Sequence, residues 1–201
     1  MQAACLSTAY LAPVQYYSIL TAFEVIYLET MENYPKQTCR NRCRIATANG
    51  IQTLTVPVEK PATLKAPVRD IRISNHGNWR HIHWNAFVSA YNLSPFFEYY
   101  VDDFRPLYDK KFDFLIDFNE ALRTMVCDLL DLHPVVIPTT QYLPVVANDF
   151  RLAIDPRHPQ PETHFKPRPY YQVFREKYGF IPNLSITDLL FNMGPEAILL
   201  L

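Results

Sequence analysis

Residues 3–28 read AACLSTAYLAPVQYYSILTAFEVIYL, and the reading of this stretch decides the fold class. The apolar run over residues 3–10 predicts a buried strand ending near Tyr10. Pro13 then suits the first turn of a helix that reaches about Phe23, because a helix start has no use for the missing N–H. Val25 to Leu28 is a second apolar strand. Strand, helix and strand in that order favour a parallel pair joined by a right-handed crossover. The expectation is an α/β protein.

Downstream, residues 40–48 and 51–58 flank Asn49-Gly50, which predicts a hairpin with a type I′ turn. In its second arm Leu54, Val56 and Val58 share a face. In its first arm Asn41, Cys43 and Ile45 share one face, and Arg40, Arg42 and Arg44 the other. Residues 68–74 read as a further short strand.

After residue 75 the period turns helical. Trp79, Ile82, His83, Ala86, Phe87, Ala90 and Tyr91 fall at helical spacing, with Asn78 placed as N-cap. Ser94-Pro95 predicts a second helix that Pro106 ends or kinks. The longest helix covers residues 112–132, and a short strand follows at Val135–Ile137. Five prolines between Pro156 and Pro169 predict an extended strap. Ser185, Asp188 and Gly194 frame a last helix as N-cap, capping-box acid and terminal glycine. The whole is a mixed sheet from the N-terminal half packed against helices of the C-terminal half, in one domain over residues 1–201.

Composition agrees with a folded core: 49% of the 201 residues are hydrophobic and 19% charged. A net charge of −1 argues against a broad nucleic-acid footprint. No apolar run approaches the ~20 residues of a membrane span. The opening residues show no basic segment followed by a long apolar one, so the expected location is cytoplasmic. Cys5, Cys39, Cys43 and Cys127 read as free thiols, since Cys39 and Cys43 on one strand would stand ~13 Å apart.

His83 lies within the apolar stripe of its helix, so it is either a hydrogen-bonded core histidine or a cleft-facing acid/base. His76, His81 and His83 lack the spacing of a helical metal pair, and no metal is expected. Lys36, Arg40, Arg42 and Arg44 form a basic cluster whose arginines would repeat at ~6.6 Å on a strand. Such a row either holds a phosphate or carboxylate or guards a sheet edge. Only four glycines occur, at positions 50, 77, 179 and 194, which excludes a P-loop and a glycine-rich dinucleotide fingerprint. No motif names a cofactor, which stays unknown. Glu29 and Glu32, closing the second strand, are candidate site carboxylates or ordinary solvated acids.

Several of these residues together resemble a known family. The order Tyr10-Leu11, Pro13 and Tyr16-Tyr17, then Lys36, Asn41-Arg42 and Ile45, is similar to the WbqC-like family. So are Trp79, His83-Trp84, Ala90-Tyr91 and Pro95-Phe96-Phe97, with Asp117-Phe118-Asn119 and Leu189-Leu190-Phe191-Asn192 further on. Many members open with His-Gln-Pro where this chain has Leu6, Ser7 and Thr8, and the family's acidic pair falls near Thr30 and Met31. The resemblance implies a role in surface-polysaccharide (O-antigen type) biosynthesis, as a transferase decorating a sugar or sugar nucleotide, with glycine transfer one suggestion.

The expectation is thus a cytoplasmic group-transfer enzyme whose partner is a small anionic molecule, a sugar phosphate or nucleotide sugar. Arg40, Arg42 and Lys36 would hold the anion, Asn41 orient it and His83 move a proton, beside an aromatic wall of Tyr10 and Trp84. A non-catalytic binding or scaffold protein of the same fold is the alternative. A cysteine-based acyl enzyme using Cys39 or Cys43 is the third.

Overall fold

Three parallel strands form the spine of the protein, described by a computed structural model over residues 2–61, 63, 65–154 and 165–201. They are β1 (Ala3–Ser7), β2 (Val25–Glu29) and β5 (Val135–Pro138), in the order β1-β2-β5. Ala3 stands opposite Val25, and Val25 opposite Val135. Helix α1 (Val14–Ala22) makes the crossover between the first two. Residues 148–150 complete the free edge of β1, with Cys5 donating to Asn148 and accepting from Phe150 at 2.8 and 2.9 Å. β1 is therefore paired on both sides, which explains why its sequence is apolar without alternation. It stops at Ser7, short of Tyr10, because the Tyr10 N–H turns to the Cys39 carbonyl and Leu11 takes a φ of 39°.

The hairpin is present as β3 (Arg42–Thr47) and β4 (Gly50–Thr55), a separate antiparallel sheet with Thr47 opposite Gly50. Its turn differs from type I′. The left-handed residue is Gly50 alone, at φ 102°, while Ala48 and Asn49 keep negative φ. That fits a type I turn closed by a glycine bulge, with Thr47 Oγ1 accepting from Asn49 N. Cys43, Ile45 and Leu54 point into the core as the alternation requires.

Residues 68–74 form no strand. Val68–Asp70 is a single 3-10 turn, and the N–H groups of Val68 and Arg69 are taken by the carbonyls of Glu32 and Thr30. Only isolated bridges remain, Ile73 with Val58 and Arg72 with Phe114.

Helices α2 (Trp79–Tyr91), α3 (Phe97–Asp109) and α4 (Leu115–Leu129) pack in succession, α3 touching both neighbours. On α2 the buried face carries Trp79, His83, Trp84, Phe87, Ala90 and Tyr91. Burying Trp84 rolls the helix away from Ile82, which is 57% exposed instead of inside. Asn78 makes no side-chain cap, and Ser94 closes α2 through the Tyr91 carbonyl without opening α3. Pro106 lies within α3, which continues to Asp109.

After the short α5 (Arg175–Tyr178), α6 (Ile186–Met193) is capped by Ser185 Oγ accepting from Thr187 N. Asp188 is no capping-box acid: its carboxylate accepts from Tyr91, Tyr170 and Gln172. The predicted 156–169 strap falls largely on residues 155–164, outside the described residues. The chain's end locks to its beginning, since Val14 N donates to Leu184 O and Ile186 N to Ala12 O. Nearby, Ser185 N donates to Arg44 O.

Candidate functional site

Beyond the carboxyl ends of β1 and β2, where open α/β sheets carry their sites, two arginines stitch four segments together. Glu29 is 0% exposed. Its Oε1 accepts from Met31 N and Thr139 Oγ1 at 2.9 and 2.7 Å, and its Oε2 from Leu143 N and Arg151 Nη1 at 3.0 and 3.3 Å. Arg151 also grips Asp149 through two nitrogens and donates to Leu143 O. Arg40 makes a fork to Glu32, Nε to Oε1 at 2.8 Å and Nη2 to Oε2 at 2.6 Å, and reaches Ser7 Oγ at 2.7 Å. Neither glutamate is therefore an ordinary solvated acid.

This overturns the three-arginine row. Arg42 opens β3, so the alternation that places Arg42 and Arg44 outward does not extend back to residue 40. Arg40 sits in the preceding turn, buried. Its cation is spent on Glu32, and what it does is hold the turn before β3 against the strand ends.

The clamped turn delivers three of the expected residues to one place. Lys36, Asn41 and Arg42 line a cleft of about 350 Å³ together with Tyr34, Glu59 and Lys60. Asn41 is only 6% exposed, and its Nδ2 donates to Val56 O at 2.9 Å. Among the described residues its Oδ1 has no partner, and neither does the Nε of Arg42. A buried polar atom left unpaired costs roughly 1–3 kcal/mol, and both of these atoms belong to residues that line the cleft. Gln37, in the same wall, holds a φ of 63°, a strained setting for a non-glycine residue. Burial pushes the Tyr34 hydroxyl up to about 12 although Arg40 and Arg42 pull the other way.

Tyr10 and His83 lie elsewhere. His83 is 4% exposed, its Nδ1 2.8 Å from the Tyr10 hydroxyl, which in turn lies 2.6 Å from the Tyr108 hydroxyl. The Thr55 backbone favours the charged ring, and which partner donates in the Tyr10–His83 bond follows the imidazole tautomer. Burial pulls the imidazole down to about 4, outweighing the Thr55 bond, and the ring is neutral. Of the two readings of His83, the hydrogen-bonded core residue is the one the geometry supports. Tyr10 is fully buried against His83 and Phe118 and forms no exposed wall. Trp84 belongs to a second cleft between α2 and α3.

None of the four cysteines is in a disulfide: Cys5, Cys43 and Cys127 are buried, and Cys39 is half-buried with its Sγ donating to Ile154 O at 3.1 Å. Burial raises the Cys43 thiol well above its ordinary value, the opposite of what a nucleophile needs. Among the described residues no group of three His, Cys, Asp or Glu side chains could hold a metal, and no helix is long and apolar enough to cross a membrane.

Tyr34, Glu59 and Lys60 escaped the sequence reading. A type I′ turn at Asn49-Gly50 would pair residue 48 with 51 and misses the actual register, in which Arg42 pairs with Thr55 and Val56 N donates to Asn41 O. Carrying that register outward brings residues 57–60 alongside the turn at 36–41.

The profile of the WbqC-like protein family matches residues 8–158, which include the whole cleft and every member of the clamp except Ser7. Uncharacterized protein Rv1507c of Mycobacterium tuberculosis is 27% identical over 212 aligned positions, covering 92% of this chain and 91% of that protein. No solved structure matches. The chain belongs to the WbqC-like protein family.

Proposed function

We propose that this WbqC-like protein binds a sugar phosphate or nucleotide sugar in the Lys36–Lys60 cleft, as the substrate of a cytoplasmic group-transfer reaction in surface-polysaccharide biosynthesis. The observation that carries the reading is the pairing of unmet groups: the Arg42 Nε donor and the Asn41 Oδ1 acceptor, set among the cations of Lys36, Arg42 and Lys60. Cations with a free donor suit phosphate oxygens. A free acceptor suits a hydroxyl, so the two together describe a phosphate that carries a polyol.

In this reading Arg42, Lys36 and Lys60 neutralise the phosphate, Asn41 orients the sugar through a hydroxyl, and Tyr34 packs against it. Glu59 is the carboxylate within the cleft and the residue placed to accept a proton from an incoming nucleophile. Arg40 acts through the turn it holds. His83 stiffens the floor under β4 and takes no proton from substrate.

The sealed, neutral His83 also favours a second reading, a non-catalytic binding protein that uses the same cleft. A thermal-shift panel of nucleotide sugars, sugar phosphates, nucleotides and amino acids tests the binding, since a ligand of the folded state raises the midpoint by mass action. A hit among sugar phosphates or nucleotide sugars that disappears in Arg42→Gln supports the cleft. No hit at millimolar ligand, or a hit indifferent to that change, refutes it. Loss of turnover with retained binding in Glu59→Gln separates the enzyme from the binding protein.

A further inference from the structure

The second cleft, about 360 Å³, lies between the start of α2 and the end of α3. Its walls carry Trp79, Arg80, Trp84, Arg105, Tyr108 and Lys111. Three cations face one carboxylate, Asp109, which the Arg105 Nε already engages at 3.0 and 3.1 Å. The guanidinium of Arg80 lies over the Trp79 ring at 4.6 Å, and that of Arg105 over the Trp84 ring at 5.2 Å. Stacking of this kind holds both cations in fixed positions.

Two donors in these walls are buried without a partner among the described residues: Arg80 Nη2 and the indole Nε1 of Trp79, a residue only 5% exposed. Arg80 Nη1 has Asn75 Oδ1 at 3.1 Å. The start of α2 compounds the deficit. Its first N–H groups have no side-chain cap from Asn78, and its first turn holds no acid but Arg80 and His81. Cations at a helix N-terminus are the reverse of what the dipole favours. Partial burial also lowers the affinity of Arg80 for its proton. Unmet donors, surplus positive charge and an uncapped 13-residue helix all lack the same thing, an anion.

We propose that this cleft binds a phosphate monoester, held by Arg80, Lys111 and the first backbone N–H groups of α2, with the indole of Trp79 donating to it. The site is independent of the Lys36–Lys60 cleft and shares no lining residue with it. Tyr108 links its wall to the buried Tyr10–His83 chain beneath β4.

The protein has two tryptophans, and both line this cleft. Intrinsic tryptophan emission therefore reports on it and not on the Lys36–Lys60 cleft. Inorganic phosphate and glucose 1-phosphate should each change the emission saturably at millimolar concentration. Acetate and glucose at matched ionic strength should not. Arg80→Gln combined with Lys111→Ala should weaken binding about tenfold or more, as lost charge-assisted bonds do, while Arg42→Gln leaves the titration unchanged. Lys111→Ala alone, at an exposed residue, keeps the test open should the Arg80 variant fold poorly. Absence of a saturable change, an equal response to acetate, or indifference to the Lys111 and Arg80 changes overturns the proposal. Phosphate binding that leaves the emission silent and is lost in Arg42→Gln overturns this site while sparing the other cleft.

Discussion

Replacing Arg40 by Met removes the clamp that positions the candidate cleft. The Arg40 and Glu32 side chains are only 5% and 12% exposed, and the substitution deletes the two-nitrogen fork and the bond to Ser7 Oγ. Glu32 is then left as a largely desolvated, unpaired charge. Breaking one side of a buried pair costs about 3–5 kcal/mol, a large part of the roughly 5–15 kcal/mol that holds a domain folded. At ~2–4 °C per kcal/mol for a chain of this size, the melting midpoint should fall by roughly 6–20 °C. Urea denaturation followed by circular dichroism measures the loss directly. The double variant with Glu32→Met removes both charges and should recover most of it, because a well-packed apolar pair can replace a buried ion pair at little cost. A loss below about 1 kcal/mol for the single variant would show that the pair is not desolvated. A double variant costing the sum of the two singles would show that they do not interact.

Other perturbations have equally definite outcomes. The imidazole of His83 is held down to about 4 in the folded protein, against an ordinary value near 6.5. Its neutral form is therefore favoured natively, so the stabilisation it brings is complete above about pH 6.5 and is lost as pH falls toward 4. Wild type should lose about 3 kcal/mol more than His83→Gln over that window, and parallel stability curves would contradict a buried neutral ring. At Gly194 a Cβ would come within 2.5–2.7 Å of the Phe96 ring at a φ of 57°. Gly194→Ala should cost about 2 kcal/mol or more in denaturation, and a loss under ~0.5 kcal/mol would mean that Phe96 moves aside freely. Iodoacetamide on the native protein should mark Cys39 alone, slowly, by mass spectrometry; fast labelling of Cys43 would revive the cysteine enzyme.

What could be read from the sequence follows the range of the forces involved. The β-α-β opening was legible because uninterrupted apolar runs and Pro13 act within a few residues. The hairpin arms were legible for the same reason, but not the turn, since Asn-Gly allows more than one geometry and here Gly50 alone takes positive φ. Arg40 was misread because alternation cannot say where a strand starts; pairing begins at Arg42 with Thr55, and two residues before it the Arg40 side chain turns inward. The burial of His83 was written in its helical stripe, yet its partner lies 73 residues upstream in Tyr10 and no local pattern announces it. Trp84 lines a different cleft from the one that gathers Lys36, Asn41 and Arg42, because the roll of α2 is set by what packs beneath it. Ile82 ended outside for that reason.

Calorimetric titration with a nucleotide sugar or sugar phosphate from the thermal-shift panel, run on wild type, Arg42→Gln and Arg44→Gln, goes straight to the Lys36–Lys60 cleft. Arg42 and Arg44 sit two apart on the outward side of β3, but only Arg42 lines the cleft. Loss of the Arg42 fork should weaken binding about tenfold or more, while Arg44→Gln binds as wild type does. Equal weakening in both would reduce the interaction to general surface charge, and unchanged affinity in both would place the ligand elsewhere.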